Sequence, residues 1–139
     1  MFLRKFKKIL LVSPDPALNH LHSMPINASN CEIFDVTSCS KVFASLFDKK
    51  PEAIVFDYDC LAKDAELVLR RIRSNSFYNS LKIYCYRNEA DESVDSFLKA
   101  IGVDSMIYKT DVEKHRYASA SPKSNDGLFK YISLNVAFK

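Results

Sequence analysis

The sequence predicts an α/β fold: a five-stranded parallel sheet in a three-layer, doubly wound α/β/α domain. Two observations carry that expectation. Short apolar runs and amphipathic segments alternate five times along the chain, with brief connections between them. The apolar run Ala53–Phe56 is continuous rather than alternating with polar residues, as in a strand buried on both faces. Parallel strands joined by helices wind with right-handed crossovers, which puts helices on both faces. The 139 residues fit one domain, 1–139, able to bury about two-thirds of its unfolded surface.

The first strand is Lys8–Val12, Lys-Ile-Leu-Leu-Val. Ser13-Pro14-Asp15-Pro16 closes it and can cap a helix over Ala17–Met24. Pro25 ends that helix and Asn27–Asn30 reads as loop. Glu32–Val36 is a weaker second strand, suited to an edge. A helix over Lys41–Asp48 follows, with Val42, Phe43, Leu46 and Phe47 as its buried stripe.

The third strand organises the rest. Pro51 and Glu52 lead into Ala53-Ile-Val-Phe56, and the run ends abruptly on Asp57, with Asp59 two residues on. The segment Ala62–Ser74 reads as a helix with Leu67, Leu69 and Ile72 inward and Lys63, Arg70, Arg71 and Arg73 outward. Leu81–Tyr86 is a fourth strand. Asp91 caps a helix whose apolar positions are Val94, Phe97, Leu98 and Ile101, and Gly102 stops it. Ser105–Tyr108 is a fifth strand, ending on Lys109. Tyr84, Tyr86 and Tyr108 alternate with apolar neighbours and read as packing residues.

The core thus runs over 8–112, followed by a polar Ser-, Lys- and Asn-rich loop at 113–126. The tail 127–138 suits a helix through Leu128, Tyr131, Ile132 and Val136, and equally a strand through Ile132, Leu134, Val136 and Phe138. The need for a last helix to cover the sheet favours the helix.

Composition excludes several classes. With only Gly102 and Gly127, neither a GxGxxG fingerprint nor a P-loop can form. His20, His22 and His115 make no HExxH, and no serine has a GxSxG setting. Cys31, Cys39, Cys60 and Cys85 lack CxxC or metal-ligand spacing, so reduced thiols fit better than a disulfide frame. A net charge of +3 with both signs interspersed gives no footprint for nucleic acid, and the cluster Arg4, Lys5, Lys7, Lys8 reads as a solvated lead-in. No apolar run approaches the roughly 18 residues of a membrane helix, and Ile9–Val12 is too short for a signal peptide. The expected location is the cytoplasm, with no membrane or nucleic-acid partner.

An Asp at the carboxyl end of a buried parallel strand lies where open α/β sheets place their ligands. With Asp57 ending strand three and Lys109 ending strand five, the chain resembles a response-regulator receiver domain of the CheY-like kind. The resemblance runs from Lys8 to Lys109 and includes Pro51–Asp57, the helix with Asp64 and Leu67–Arg73, and Ala100-Ile-Gly-Val-Asp104. It implies the flavodoxin-like strand order 2-1-3-4-5. It also implies that Asp57 is the phosphoryl acceptor and Lys109 the switch lysine, with a Mg²⁺ held by an acidic pair after strand one.

Several positions depart from that pattern. Ser13 and Pro14 stand where the acidic pair would be, and Asp15 falls one place late. Arg87 stands at the Thr/Ser place after strand four, and Met106 at the place of the switch aromatic. Thr110 and Leu61 replace the usual prolines. Mg²⁺ demands near-octahedral oxygen ligands, usually including carboxylates, so the expectation is no metal and no cofactor. Asp59 and Asp15 are the accessory acids that could help. One hypothesis has Arg87 and Lys109 neutralising Asp57 without metal; in the other reading of Arg87 it points outward. Asp57 itself reads either as a structural acid satisfied by Lys109 or as a working acceptor.

The reading is therefore an atypical receiver domain, not an enzyme, acting as a protein-interaction module in signal transduction without Mg²⁺-dependent phosphorylation. The alternative is a phosphoaccepting receiver in a phosphorelay, using Asp57 with non-standard metal ligation. A small flavodoxin-like enzyme is disfavoured by the missing glycines. The tail is too short for a DNA-binding domain, which leaves docking of a protein partner, or homodimerisation, as the output. The face of helix four, strand five and the last helix, with Phe97, Lys99 and Tyr108, is where the resemblance puts it.

Overall fold

The computed structural model describes residues 7–14 and 31–109. Five strands, β1 (Lys7–Val12), β2 (Cys31–Val36), β3 (Ala53–Asp57), β4 (Lys82–Arg87) and β5 (Ser105–Tyr108), form one sheet. All neighbours pair parallel, in the order β2-β1-β3-β4-β5. The order reverses at β1 and β3, so the carboxyl ends of these two strands flank the crevice where such sheets hold ligands. The register sets Val12 opposite Phe56, Asp57 opposite Tyr86, and Arg87 opposite Tyr108.

Four α-helices lie among the described residues: α1 (Val42–Lys49), α2 (Tyr58–Leu61), α3 (Lys63–Arg73) and α4 (Glu92–Ala100). One face of the sheet presents Leu10, Val12, Ile54, Phe56, Ile83, Cys85 and Met106 to Val42 and Leu46 of α1, Ala65, Val68, Leu69 and Ile72 of α3, and Leu98 of α4. Each fully buried large side chain there contributes roughly 1.5–3 kcal/mol. The other face carries Ile9, Leu11, Val55, Tyr84 and Ile107, also buried. The ends of α4 follow the sequence. Asp91 Oδ1 accepts from the Ser93 and Val94 amides at 3.1 and 3.3 Å. Gly102, at φ 118°, lets its amide return to the Lys99 carbonyl at 3.1 Å.

The structure corrects several details. β4 starts and ends one residue later than Leu81–Tyr86, which makes Arg87 a strand residue. The short helix α2 was not expected; Ala62, at φ 46°, separates it from α3. Phe47 is 76% exposed, because it lies about 100° further round α1 than buried Leu46. Leu67 is 63% exposed, the buried stripe of α3 being Ala65, Val68, Leu69 and Ile72 at the i, i+3, i+4, i+7 spacing. Arg73 does not point out. Its Nε donates to the Gly102 carbonyl and its Nη2 to Asp104 Oδ2, both at 2.8 Å, and Asp104 Oδ2 also accepts from the Ile83 amide at 2.7 Å. That clamp ties α3 to the starts of β4 and β5.

Asp15, the helix over 17–24, the loop at 113–126 and the tail 127–138 lie outside the described residues. Among the described residues no helix is long and apolar enough to cross a membrane.

Candidate functional site

The carboxyl edge of the sheet gathers Ser13 after β1, Asp57 at the end of β3, Arg87 at the end of β4, and Tyr108 and Lys109 at the end of β5. Asp57 is buried, as a residue closing an all-apolar strand must be. Its Oδ2 accepts a hydrogen bond from Ser13 Oγ at 2.7 Å, and Ser13 is itself fully buried. The β1–β3 register places this pair, because the residue after Val12 lies beside the residue after Phe56. Pro14 is exposed, and Met106 is a core residue against Cys85, its partner in register.

Arg87 does not reach Asp57. Its Nε donates to Asp59 Oδ1 at 2.8 Å, its Nη1 donates to Asp95 Oδ1, and its guanidinium lies 5.6 Å from the centre of the Tyr58 ring. Asp59 Oδ2 takes the Asn88 amide at 2.6 Å. Asp95 Oδ2 takes the Tyr108 hydroxyl at 2.6 Å and the Asp91 amide at 3.2 Å. Burial works against the charge on Arg87, but the hydrogen bond and charge of Asp59, with Asp95 and Asp91 behind it, outweigh that and raise its pKa. Next to it, burial pushes the Cys85 thiol up to about 12, with Arg87 opposing and Asp59 and Asp95 adding to the shift. Cys85 is thus an inert core thiol. Burial, and then the 2.6 Å hydrogen bond it donates to Glu66, push the Tyr58 phenol up to about 12.

The expected neutralisation of Asp57 by Arg87 and Lys109 is therefore not formed. Asp57 is held by a neutral hydroxyl, Arg87 by two other carboxylates, and Lys109 is exposed without an ion pair among the described residues. Asp59 is no solvated loop acid either, since it fixes both Arg87 and the backbone of Asn88. Asp95 escaped the sequence reading altogether. Its signal was an acid beside Val94 on the inward side of an amphipathic helix, which needs a buried cationic partner.

Among the described residues, which do not include Asp15, the donor set does not suit the Mg²⁺ that the resemblance implies. Ser13 and Pro14 offer one hydroxyl, already donated to Asp57. Both oxygens of Asp59 are occupied by an arginine and an amide. Among the described residues one carboxylate of this edge, Asp57, is left, and no cluster of three or more candidate ligands exists.

No family model matches the chain, and no curated protein matches its sequence. Solved structures match it closely in shape. The chemotaxis response regulator CheY4 of Vibrio cholerae superposes with a TM-score of 0.70 at 15% identity, covering 94% of this chain and 98% of that one. The chain has the receiver-domain fold. The response regulator Rcp1 in its Mn²⁺-bound form gives 0.70 at 18% identity, covering 96% of both chains. The beryllofluoride-activated N-terminal receiver domain of RstA from Klebsiella pneumoniae gives 0.64 at 17%, covering 75% and 86%. In the receiver fold found here, Asp57 ends β3 and Lys109 follows β5, while Arg87 at the end of β4 is paired with Asp59 and Asp95.

Proposed function

We propose that this chain is a receiver-fold signalling module that works through protein contacts and without Mg²⁺-dependent phosphorylation of Asp57. The observation that carries the reading is the pairing at the carboxyl edge: Ser13 donates to Asp57, and Arg87 is committed to Asp59 and Asp95. Phosphoryl transfer is catalysed almost entirely by positioning and by charge that stabilises the phosphoryl oxygens. At Asp57 the metal-binding acids are absent from the described part of the edge, and the guanidinium is turned away. The neighbours in metal-bound and beryllofluoride-bound form give the contrast.

The rebuilt network also supports a docking face. Arg87, Asp95 and Tyr108 join the end of β4 to α4 and β5. Phe97 and Lys99 are exposed on α4, and Arg70 lies 5.7 Å from the Phe97 ring centre. The exposed face of α4 and β5 takes a protein partner or a second copy of the chain.

Incubation with acetyl phosphate and Mg²⁺, read by intact mass, tests the first part; the expected outcome is no phosphoryl adduct. Ready modification of Asp57, or beryllofluoride-dependent amide shifts around it, would instead establish a phosphoaccepting domain with non-standard metal ligation. For the face, Phe97→Ala is expected to weaken association with the partner or with a second copy, and unchanged association would refute it.

A further inference from the structure

The opposite, amino-terminal edge of the sheet holds a cleft of 760 Å³ that the proposed signalling role does not use. Its floor and walls are Ile9, Leu46, Leu81, Tyr84 and the rings of Phe77 and Tyr78, and Lys8, Lys50 and Lys82 line it as well. Strand pairing sets two of these lysines around one point: the Glu52 amide donates to the Lys8 carbonyl at 2.8 Å and the Lys82 amide to the Glu52 carbonyl at 3.1 Å. Lys50 arrives differently. It closes α1 in a left-handed conformation, φ 51° and ψ 56°, a position that favours glycine. From there it lines the cleft.

Charge and shape select the occupant. Among the described residues Lys8, Lys50 and Lys82 make no ion pair. Against them stand Glu52 and Asp104, and Asp104 is already neutralised by Arg73 at 2.8 Å. The cleft is thus net cationic over an apolar floor. Lys50, Lys82 and Ser80 are exposed around it, and Phe77 is 77% exposed beside Tyr78, its ring edge-on at 5.1 Å. An exposed phenylalanine in a cleft also lined by lysines suits a ligand with an apolar side chain flanked by carboxylates. An open groove suits an extended chain better than a small enclosed molecule.

We infer that the cleft lined by Lys8, Lys50, Lys82 and Phe77 binds an acidic segment of a partner protein, one apolar side chain of which seats against Phe77 and Tyr78. The site lies at the far end of the strands from Asp57 and is independent of whether that residue is phosphorylated.

The test is an NMR titration of the full chain with a blocked heptapeptide of aspartate and glutamate around a central phenylalanine. Amide shifts are expected at Lys8, Lys50, Glu52, Phe77, Lys82 and Ser105. The double variant Lys50→Glu/Lys82→Glu should bind at least about tenfold more weakly, and added salt should weaken the wild type in the same direction. Phe77→Ala, and a peptide with alanine for its phenylalanine, should each lose affinity. Asp57→Asn should bind like the wild type, which separates this site from the carboxyl edge. Both lysines are exposed, so a dispersed spectrum of the double variant shows that its fold is kept. Shifts spread over other surfaces, binding unaffected by the charge reversal, or a cleft occupied by a second copy in sedimentation at titration concentrations would each overturn the inference.

Discussion

Replacing Arg87 by alanine strips the counter-charge from two carboxylates at once. The Asp95 side chain is 12% exposed and that of Asp59 25%. Removing one partner of a buried ion pair costs about 3–5 kcal/mol, because the remaining charge stays desolvated. Asp95 keeps the Tyr108 hydroxyl and the Asp91 amide, and Asp59 keeps the Asn88 amide and some water. The lower end, about 3 kcal/mol, is therefore expected. For a domain of this size that lowers Tm by about 10 °C, a large part of a total stability of about 5–15 kcal/mol. Urea unfolding followed by circular dichroism measures it, and a cycle with Asp95→Ala isolates the pair. A coupling energy of about 1.5 kcal/mol or more is expected. If Arg87→Ala costs under about 1 kcal/mol, or the coupling falls below about 0.5, Arg87 and Asp95 do not form a buried pair and the edge is not built as described.

Three further outcomes follow from the same contacts. Ser13→Asp sets a second carboxylate against buried Asp57 and should lower Tm in chelator. Millimolar Mg²⁺ should then restore it, while the wild-type Tm stays unmoved by Mg²⁺. Cys85 and Tyr58 hold their protons more tightly folded than unfolded, each near 12 against ordinary values of 9 and 10. Their contribution is thus intact below about pH 9 and is lost as pH rises from there towards 12. Calorimetry should show a flat Tm from pH 7 to about 8.5 and a decline above it, and a thiol reagent at about pH 8 should label exposed Cys60 well before Cys85. At Gly102→Ala the new Cβ would clash with Arg73 Cγ at a φ of 118°, so the Arg73 clamp must shift. A loss of about 1–3 kcal/mol is expected in urea unfolding, and an unchanged midpoint would show that the clamp contributes nothing.

The sheet was legible because its cause is local. Ala53–Phe56 is apolar without interruption and Asp57 ends it, so both the burial of β3 and the position of its acid can be read one residue at a time. The Asp91 cap and the Gly102 stop are likewise decided within a single turn of chain. Phe47 and Leu67 were misplaced because an apolar residue satisfies a helical pattern from either border of the buried stripe. Only the packing partner decides which border is covered.

The sequence by itself determined the alternation of strand and helix, the strand ends that carry Asp57 and Lys109, and the serine and proline, Ser13 and Pro14, that follow the first strand. Only the tertiary structure decided where the charges go. Arg87 lies 28 residues from Asp59 and 8 from Asp95, and Ser13 lies 44 from Asp57. A guanidinium at a strand end can reach several carboxylates, and nothing in the linear order ranks them. The choice is made by which acids the fold buries beside it, since a desolvated carboxylate left unpaired costs several kcal/mol. Asp95 is such an acid; Asp57, with the Ser13 hydroxyl on Oδ2, is already partnered.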